Sequence, residues 1–152
     1  MYRYIFARTG FQKEIAEDLA QETFVKFLEY RDQFNSEKGS IKTWLFTIAH
    51  NLVIDTYRAK KFTVNIKEAF LDNKIDPDQE INDKALLINV IKTNLCKLPE
   101  KDQELLTLRY INEMELVEIA GILKLEYANL KVAVNRALHK LSKLINNNDK
   151  HN

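Results

Sequence analysis

The sequence predicts an all-α protein with two small helical domains joined by a flexible linker. Only three glycines and two prolines occur among 152 residues, so the chain has little of the turn chemistry that β-hairpins need. Apolar residues recur instead at intervals of three and four, the spacing of an amphipathic helix. A composition of 45% hydrophobic and 30% charged residues is typical of folded domains with apolar cores.

The same composition argues against several classes of protein. No window approaches the roughly 18 apolar residues of a membrane helix, and the N-terminus lacks a signal-peptide pattern, which predicts a cytoplasmic protein without membrane insertion. Cys96 is the single cysteine, and the three histidines are far apart in sequence, so neither a disulfide nor a zinc site is predicted. We find no glycine-rich phosphate loop and no nucleophile beside a histidine. The sequence therefore predicts no enzyme, no metal and no cofactor.

The first predicted domain, residues 1–61, contains a helical hairpin. Its first long helix has one apolar stripe, formed by Ala16, Leu19, Ala20, Thr23, Phe27 and Phe34. Residues 35–39 interrupt this pattern with a polar loop. The next helix follows Ser40, a natural N-cap, and its apolar stripe continues from Ile41 to Val53 over a helix of about 18 residues. Trp44 lies on that stripe and is interpreted as a core residue rather than a stacking platform.

The linker is predicted at residues 62–83, where periodicity fades and polar residues dominate. The second domain, residues 84–145, begins with a stripe at Leu87, Ile91, Leu95 and Leu98, and Pro99 opens a further helix that runs to about Tyr110. Two more helices, 116–123 and 127–145, are separated by three residues, which is helix-turn-helix spacing. Residues 146–152 form a polar tail that is expected to fray.

Charge alternates twice along the chain, although the net charge is only +1. Residues 12–37 sum to −4 and residues 41–61 to +3, while residues 100–120 sum to −4 and residues 121–145 to +4. This pattern favours two modules that separately face a basic partner and a polyanion.

The exposed faces of the predicted helices supply candidate binding residues. Opposite the core of the first long helix lies an acidic face, consisting of Asp18, Gln21, Glu22, Glu29 and Asp32 around Val25. Such a face suits a basic protein surface, but from the residues alone an ordinary solvated helix exterior is the favoured interpretation, since helix exteriors are usually solvated.

Polar residues also mark the next helix and the loop before it. The helix shows Thr47, His50, Asn51, Asp55 and Arg58 away from its apolar stripe and ends in Lys60 and Lys61. Such side chains can contact bases and phosphates, and the loop with its permissive Gly39 could hold an unstacked base.

The last helix presents an apolar side and a basic side. The inward residues are predicted to be Tyr127, Leu130, Val134, Ala137, Leu138, Leu141 and Ile145. The outward residues are Asn129, Val132, Ala133, Arg136, His139, Lys140 and Lys143, with Lys131 on the flank. Distal cations can bind phosphates, but the N-terminal part that would contact bases is rather apolar. The alternative is a helical hairpin whose basic end complements its own dipole.

Two stretches of the chain are family-specific. Residues 18–27, Asp-Leu-Ala-Gln-Glu-Thr-Phe-Val-Lys-Phe, and residues 34–55 closely resemble the second conserved region of bacterial sigma factors of the extracytoplasmic-function class. Residues 98–102, 105–110 and 118–123 resemble the fourth region, so the likeness covers roughly residues 14–145.

The resemblance implies a function and a role for each candidate residue. Its partners would be core RNA polymerase, through the β′ clamp helices and the β flap, promoter DNA, and in some cases an anti-sigma factor. Polymerase binding would fall to Asp18, Gln21, Glu22 and Val25. Melting and capture of the minus ten element would fall to Asn35, Ser36, Lys38, Gly39, Ser40, Asn51, Asp55, Arg58, Lys60 and Lys61. Binding of the minus 35 duplex would fall to Asn129, Lys131, Asn135, Arg136, His139 and Lys140.

Three features depart from the family pattern. The first helix is short, because only 17 residues precede Asp18 and Gly10 interrupts them. Glu115 replaces a hydroxyl cap, at a cost of about 1 kcal/mol, so the helix after it is expected to fray. Val132 and Ala133 replace a hydroxyl and a cation of the recognition helix. The alternatives are therefore a sigma-like protein that binds polymerase or an anti-sigma factor without initiating, and a simple helix-turn-helix regulator.

Overall fold

The chain folds into helices, which a computed structural model describes for residues 1–61 and 83–149. The α-helices in these ranges are α1 (Tyr2–Arg8), α2 (Lys13–Glu29), α3 (Ile41–Lys61), α4 (Asp83–Cys96), α5 (Glu100–Leu106), α6 (Leu116–Leu123) and α7 (Tyr127–Asp149). No strand occurs in the described ranges, and the all-α prediction is confirmed. Residues 62–82 of the predicted linker lie outside the described residues, while Asp83 begins α4.

Helix α1 is short, as the sequence predicts, because the chain reverses directly after it. Gly10 and Phe11 both have positive φ, 69° and 62°, and the Phe11 N–H donates to the Phe6 carbonyl at 2.8 Å. Phe11 is a bulky residue, and its positive φ costs roughly 1 kcal/mol or more of conformational free energy. The packing around the turn must offset this cost. The turn brings α2 against α1.

Helices α2 and α3 form the predicted hairpin. Thr23 is buried, and its hydroxyl donates to the Leu19 carbonyl at 2.6 Å, so a polar residue fits the apolar stripe. Ser40 accepts the Thr43 N–H at 3.1 Å, which confirms the N-cap of α3. Trp44 lies 5.3 Å from the ring centroids of both Phe27 and Phe34. Its role as a packing residue is thereby supported.

The helix predicted from Pro99 to Tyr110 is α-helical in its first part and π-helical in its last turn. Helix α5 ends at Leu106, and a wider π-helical turn covers Thr107–Ile111. The main-chain and side-chain nitrogens of Asn112 both donate to the Thr107 carbonyl, at 3.1 and 3.0 Å. Glu113, with φ 53°, then ends the element.

The helix-turn-helix has the predicted boundaries, with α6 ending at Leu123 and α7 beginning at Tyr127. Lys124 makes the turn with φ 53°. Glu115 takes part in a capping box in which its N–H donates to the Glu118 carboxylate at 2.9 Å, a contact that favours an ordered start of α6, although the expected fraying stays a prediction.

Three predictions about helix faces and the chain end are wrong. In α4, Leu95 is buried but Leu87 is 58% exposed and Ile91 is exposed as well. In α7, Tyr127 and Leu138 are exposed although the stripe places them inward. Helix α7 continues through Asp149, so much of the predicted polar tail is helical, and residues 150–152 lie outside the described part.

One apolar core joins the two predicted domains. Tyr4 and Ile5 of α1 are completely buried in the same cluster as Leu108, Met114 and Ile119. Helix α1 contacts the 107–111 turn, and α3 contacts α6. A second, smaller cluster contains Leu95, Leu98, Leu106 and Ala137. The N-terminal helices α1–α3 and the C-terminal helices α4–α7 are therefore packed as one body.

Candidate polymerase and nucleic-acid interfaces

The acidic face of α2 is exposed along its length. Asp18, Gln21 and Glu22 are exposed, and Val25 at their centre is 53% exposed. Glu22 lies 3.9 Å from Lys26 in an i,i+4 pair, which is worth only a few tenths of a kcal/mol when solvated. The face therefore keeps its acidic character and an accessible apolar centre.

Two apolar residues beside this face were not predicted as part of it. Phe24 and Leu28 are 52% and 60% exposed and border Val25 on the same helix. A helical projection of the sequence could have predicted their exposure. At 100° per residue, Phe24 and Leu28 lie roughly 80° and 120° from Ala16, on the flank between the core and the acidic face. Together they extend the apolar centre of the surface.

All six residues of the loop 35–40 are exposed. Asn35 accepts the Glu37 N–H through its side-chain oxygen at 2.8 Å, so it organises the loop itself. Ser40 likewise caps α3, and its Oγ lies 3.0 Å from the Thr43 hydroxyl. Gly39 has φ 155°, a conformation that L side chains rarely adopt, and its backbone is open to solvent. Ser36 and Lys38 lie exposed between these fixed points.

The outer face of α3 agrees only in part with the prediction. Asn51, Asp55 and Arg58 are exposed, and Arg58 lies 3.7 Å from the Asp55 carboxylate. His50 is not on this face, because its ring points toward α5 and contacts Glu104. Lys60 belongs to α3 like Lys61, but both side chains lie outside the described part of the structure.

Helix α7 exposes most of its predicted DNA-binding residues. Lys131, Asn135, Arg136 and His139 are exposed, as is Asn129, whose side chain donates to Glu126 at 3.3 Å.

Two residues of α7 differ from the prediction. The ammonium of Lys140 is bound to the Asp102 carboxylate of α5 at 2.6 Å, so it is not a free cation. Ala133 is half-buried against the core rather than outward, whereas Val132 is exposed. The exposed face of α7 therefore contains the apolar side chain of Val132 beside its cationic side chains.

A buried polar cluster, which we call the interface cluster, lies where α1 and α3 meet α5. The Tyr4 hydroxyl donates to Glu104 Oε1 at 2.7 Å, and His50 Nδ1 lies 2.6 Å from the same oxygen. Burial raises the pKa of Glu104, but the His50 hydrogen bond, the nearby Arg8 charge and the Tyr4 hydroxyl outweigh it, so the pKa is lowered below its ordinary value. Burial, followed by the Glu104 charge, raises the pKa of Tyr4 well above its ordinary value.

Arg8 completes the interface cluster and is only 1% exposed. Its Nη1 donates to the Glu100 carbonyl at 3.2 Å and to the Gln103 side chain at 3.4 Å. The guanidinium lies 5.6 Å from the Tyr57 ring centroid, and the Tyr57 hydroxyl donates to the Arg8 carbonyl. Among the described residues, Arg8 Nε and Nη2 have no hydrogen-bond partner.

Residues 1–61 and 83–149 contain neither a candidate membrane span nor a candidate metal site. No helix in these ranges has the length and apolar character needed to cross a membrane. The same ranges contain no group of three or more His, Cys, Asp or Glu residues that could hold a metal ion.

Family models and curated relatives identify the chain. The sigma-70 region 2 model matches residues 1–63, and the sigma-70 region 4 model matches residues 89–141. RNA polymerase sigma factor YlaC of Bacillus subtilis is 34% identical over 144 residues, which cover 92% of this chain and 82% of that protein. The chain belongs to the sigma-70 family. This sigma factor is thus a transcription initiation factor and not an enzyme.

Further relatives agree with this assignment. The extracytoplasmic-function sigma factor SigM of Bacillus subtilis is 31% identical over 96% of this chain and 88% of its own length. The chain therefore belongs to the extracytoplasmic-function class of the family. The sigma factor RpoE of Bartonella quintana, solved in complex with the anti-sigma factor NepR, superposes with a TM-score of 0.75 at 24% identity, covering 95% of this chain and 89% of that one. CnrH in complex with the cytosolic domain of CnrY gives a TM-score of 0.70 at 23% identity, covering 95% of this chain and 80% of that one. The two structures establish a shared fold.

Proposed function

We propose that this sigma factor binds core RNA polymerase through the acidic face of α2 and directs promoter recognition and melting through α3 and α7. The observation that carries the proposal is the combination of exposed carboxylates at Asp18 and Glu22 with the exposed apolar centre at Val25. Isolated charges are usually solvated, but an apolar group at their centre gains free energy when a partner covers it. The β′ clamp helices are the proposed partner of this face, and the β flap is the proposed partner of the C-terminal helices.

Promoter melting is assigned to the loop 35–40 and the outer face of α3. The loop offers Ser36, Lys38 and the open backbone of Gly39 to an unstacked base. Asn35 and Ser40 fix the shape of the loop through their own hydrogen bonds. Along α3, Asn51 and Arg58 are the exposed donors for the single strand, and Asp55 orients Arg58. Capture of bases offsets a cost of a few kcal/mol for unpairing.

Binding of the minus 35 duplex is assigned to α7. Lys131, Arg136 and His139 are exposed and can contact phosphates, while Asn129 and Asn135 are the side chains suited to base edges. Lys140 contributes once Asp102 releases it.

The proposal includes the domain boundaries and the remaining partners. Residues 1–61 form the region 2 module. The linker, predicted at 62–83, ends where α4 begins at Asp83, and the region 4 module, predicted at 84–145, extends to the end of α7 at Asp149. An anti-sigma factor is a proposed regulator, supported by the similar structure of RpoE from Bartonella quintana, which is a sigma factor bound to the anti-sigma factor NepR. Action on RNA polymerase would make the protein cytoplasmic.

Run-off transcription with purified core polymerase on a fork-junction template tests the proposed function. Transcripts that depend on this chain support it. Stable polymerase binding without transcripts would instead support a sigma-like binding protein, an alternative favoured by the exposed Val132 where a contact to DNA is expected. Duplex binding without polymerase affinity would support a simple helix-turn-helix regulator.

The melting assignment has its own test in Asn51→Ala. This variant should reduce permanganate reactivity of the melted strand and leave polymerase binding unchanged, because Asn51 is exposed on α3 whereas the acidic face belongs to α2. Asn147→Ala, an exposed asparagine near the end of α7, is the matched control. A wild-type footprint for Asn51→Ala would contradict the role of Asn51.

A further inference from the structure

An exposed apolar residue, Val132, lies at the centre of the outward face of α7. Its side chain is 49% exposed. At about 100° per residue, Asn129 and Asn135 lie about 60° to either side of it, and Arg136 lies about 40° away. These three neighbours are exposed as well. The valine is therefore placed between amide and cationic side chains on a surface that a partner can reach.

The charge around Val132 favours a polyanion as the partner of this face. Residues 127–148 contain three lysines and one arginine but no Asp or Glu. Arg136, His139 and Lys143 are exposed and project within about 40° of Val132. The nearest carboxylate in sequence, Glu126, precedes the helix and accepts a hydrogen bond from the Asn129 side chain at 3.3 Å. The face as a whole therefore attracts phosphate groups.

A protein partner fits the surroundings of Val132 less well. The centre of a protein interface is usually depleted of charges and enriched in aromatic residues and Met. Leu138 and Tyr127 are exposed on the same helix, but they project about 120° and 140° away from Val132 and do not extend its apolar area. The apolar centre of α2, in contrast, is extended by two exposed neighbours. A single valine among cations is therefore better suited to nucleic acid.

The major groove of DNA offers a specific apolar group to such a side chain. Base edges there present hydrogen-bond donors and acceptors, and thymine adds its C5-methyl group. A valine side chain forms no hydrogen bond, but it gains free energy when a methyl group covers it. Side chains three residues apart on a recognition helix can contact successive base pairs. Asn129, Val132 and Asn135 have this spacing, so the valine lies opposite the middle pair.

We propose that Val132 determines part of the promoter specificity of this sigma factor by contacting the C5-methyl group of a thymine in the minus 35 element. Asn129 and Asn135 contact the base pairs on either side of this thymine. The cations further along the same face bind phosphates. The inference rests on the proposed function, in which α7 binds the minus 35 duplex, and it adds which base the exposed valine requires there.

Selection from random DNA locates the thymine. Holoenzyme made from the full chain and core polymerase is bound to fork-junction templates in which the minus ten strand and about ten base pairs at minus 35, one turn of the duplex, are random. Bound templates are recovered and sequenced, and we expect an enriched minus 35 element with an A·T pair in its middle. Enrichment of the minus ten strand alone, or of neither segment, would contradict the assignment of α7 to the duplex and the thymine contact with it. An enriched duplex element without an A·T pair would overturn the thymine contact alone.

Replacement of thymine by deoxyuridine tests the contact itself, because the two bases differ only in the C5-methyl group. Each thymine of the selected element is replaced in turn, and the affinity of the holoenzyme is measured by fluorescence anisotropy. We expect the affinity of the wild type to fall about fourfold at one thymine, which is the factor for one buried methyl group. For Val132→Ala the loss at this position should be less than about twofold, because the shorter side chain no longer covers the methyl group.

Lys143→Ala, at an exposed lysine on the same face about three turns along α7, is the matched control. It should weaken binding to every duplex alike and keep the fourfold difference between thymine and deoxyuridine, because a phosphate contact does not distinguish bases. Equal affinity of the wild type for thymine and deoxyuridine at every position would overturn the proposal. A Val132→Ala protein that loses polymerase affinity but keeps the wild-type difference would also overturn it and would place Val132 in a protein interface.

Discussion

The acidic face of α2 and the interface cluster both contain charged residues, but their surroundings are opposite. Carboxylates on α2, such as Asp18 and Glu22, are exposed and have solvent or an i,i+4 neighbour as their main partners. In the interface cluster, Glu104 is buried between Tyr4 and His50, which come from other helices. Exposed charges can be lost with little effect on folding, whereas a buried charge depends on every partner being in place. The first region is suited to binding and the second to holding the fold closed.

The largest expected effect comes from breaking the core beside the interface cluster. Leu108 is completely buried in the cluster of residues that joins both halves. Leu108→Ala should destabilise the protein by about 2–5 kcal/mol, because it removes apolar contacts and leaves a cavity. Trp44, the single tryptophan of the sequence, lies in the N-terminal half and reports its unfolding by fluorescence. Urea unfolding followed by Trp44 fluorescence and by circular dichroism should shift together.

Leu125→Ala, a leucine that is 48% exposed, is the matched control and should cost far less. A Trp44 transition that stays at the wild-type urea concentration while helicity is lost earlier would show that the two halves do not share one cooperative core.

The second prediction concerns the exposed region. Val25→Glu should weaken association with core polymerase by about tenfold or more, since a charge placed at the centre of an interface must be desolvated. Its thermal unfolding should remain that of the wild type, because Val25 is exposed. Surface plasmon resonance with immobilised core polymerase measures the effect. Ile41→Glu, at an isoleucine 54% exposed at the start of α3, is the matched control, and equal losses for both variants would contradict the assigned face.

The contrast between the regions also explains how much of the molecule the sequence predicts. The bounds of α6 and the start of α7 follow from local periodicity and a three-residue turn, and Ser40 is recognisable as a cap from its position alone. The acidic face follows in the same way, since residues on one helix face have a fixed spacing. Its role in polymerase binding stays a prediction.

Contacts between distant residues could not be predicted in this way. His50 and Glu104 are 54 positions apart, and Asp102 and Lys140 are 38 apart, so no helical periodicity relates them. Periodicity also does not decide which apolar residue is covered, because this depends on the neighbouring helix. Leu87 and Tyr127 belong to regular stripes and are nevertheless exposed.

The third prediction uses acid to probe the buried region. Because the pKa of Glu104 is lowered in the folded protein, the unfolded chain binds more protons as the pH falls. The stabilisation from this carboxylate is therefore present above its ordinary pKa of 4.5 and is lost as the pH falls through the lowered value. Stability measured by urea unfolding between about pH 6 and pH 3 should decline less steeply in Glu104→Gln than in the wild type.

Glu118 supplies the control for this titration. Burial raises the pKa of Glu118, but the Glu115 N–H and Lys42 lower it overall, and its side chain is more accessible to solvent than that of Glu104. Glu118→Gln should therefore reduce the pH dependence of folding stability less than Glu104→Gln does. Identical slopes for wild type and Glu104→Gln would mean that Glu104 is not stabilised in its charged form.

The smallest expected effect concerns a charge whose burial is intermediate between that of the exposed acidic face and that of the buried interface cluster. Lys140 is half-exposed on α7, but its ammonium is 2.6 Å from the carboxylate of Asp102, which is mostly covered. Asp102→Asn removes this competing charge, so Lys140 becomes available to a phosphate, and affinity for minus 35 duplex DNA should rise about twofold to fivefold at low salt. Fluorescence anisotropy over a series of salt concentrations should also show that the DNA affinity of Asp102→Asn depends more steeply on salt than that of the wild type.

Glu113→Gln, at an exposed carboxylate of the same half, changes the net charge equally and is the matched control. If both variants strengthen binding to the same extent, overall charge rather than release of Lys140 is responsible, because only the contact between Asp102 and Lys140 distinguishes the two.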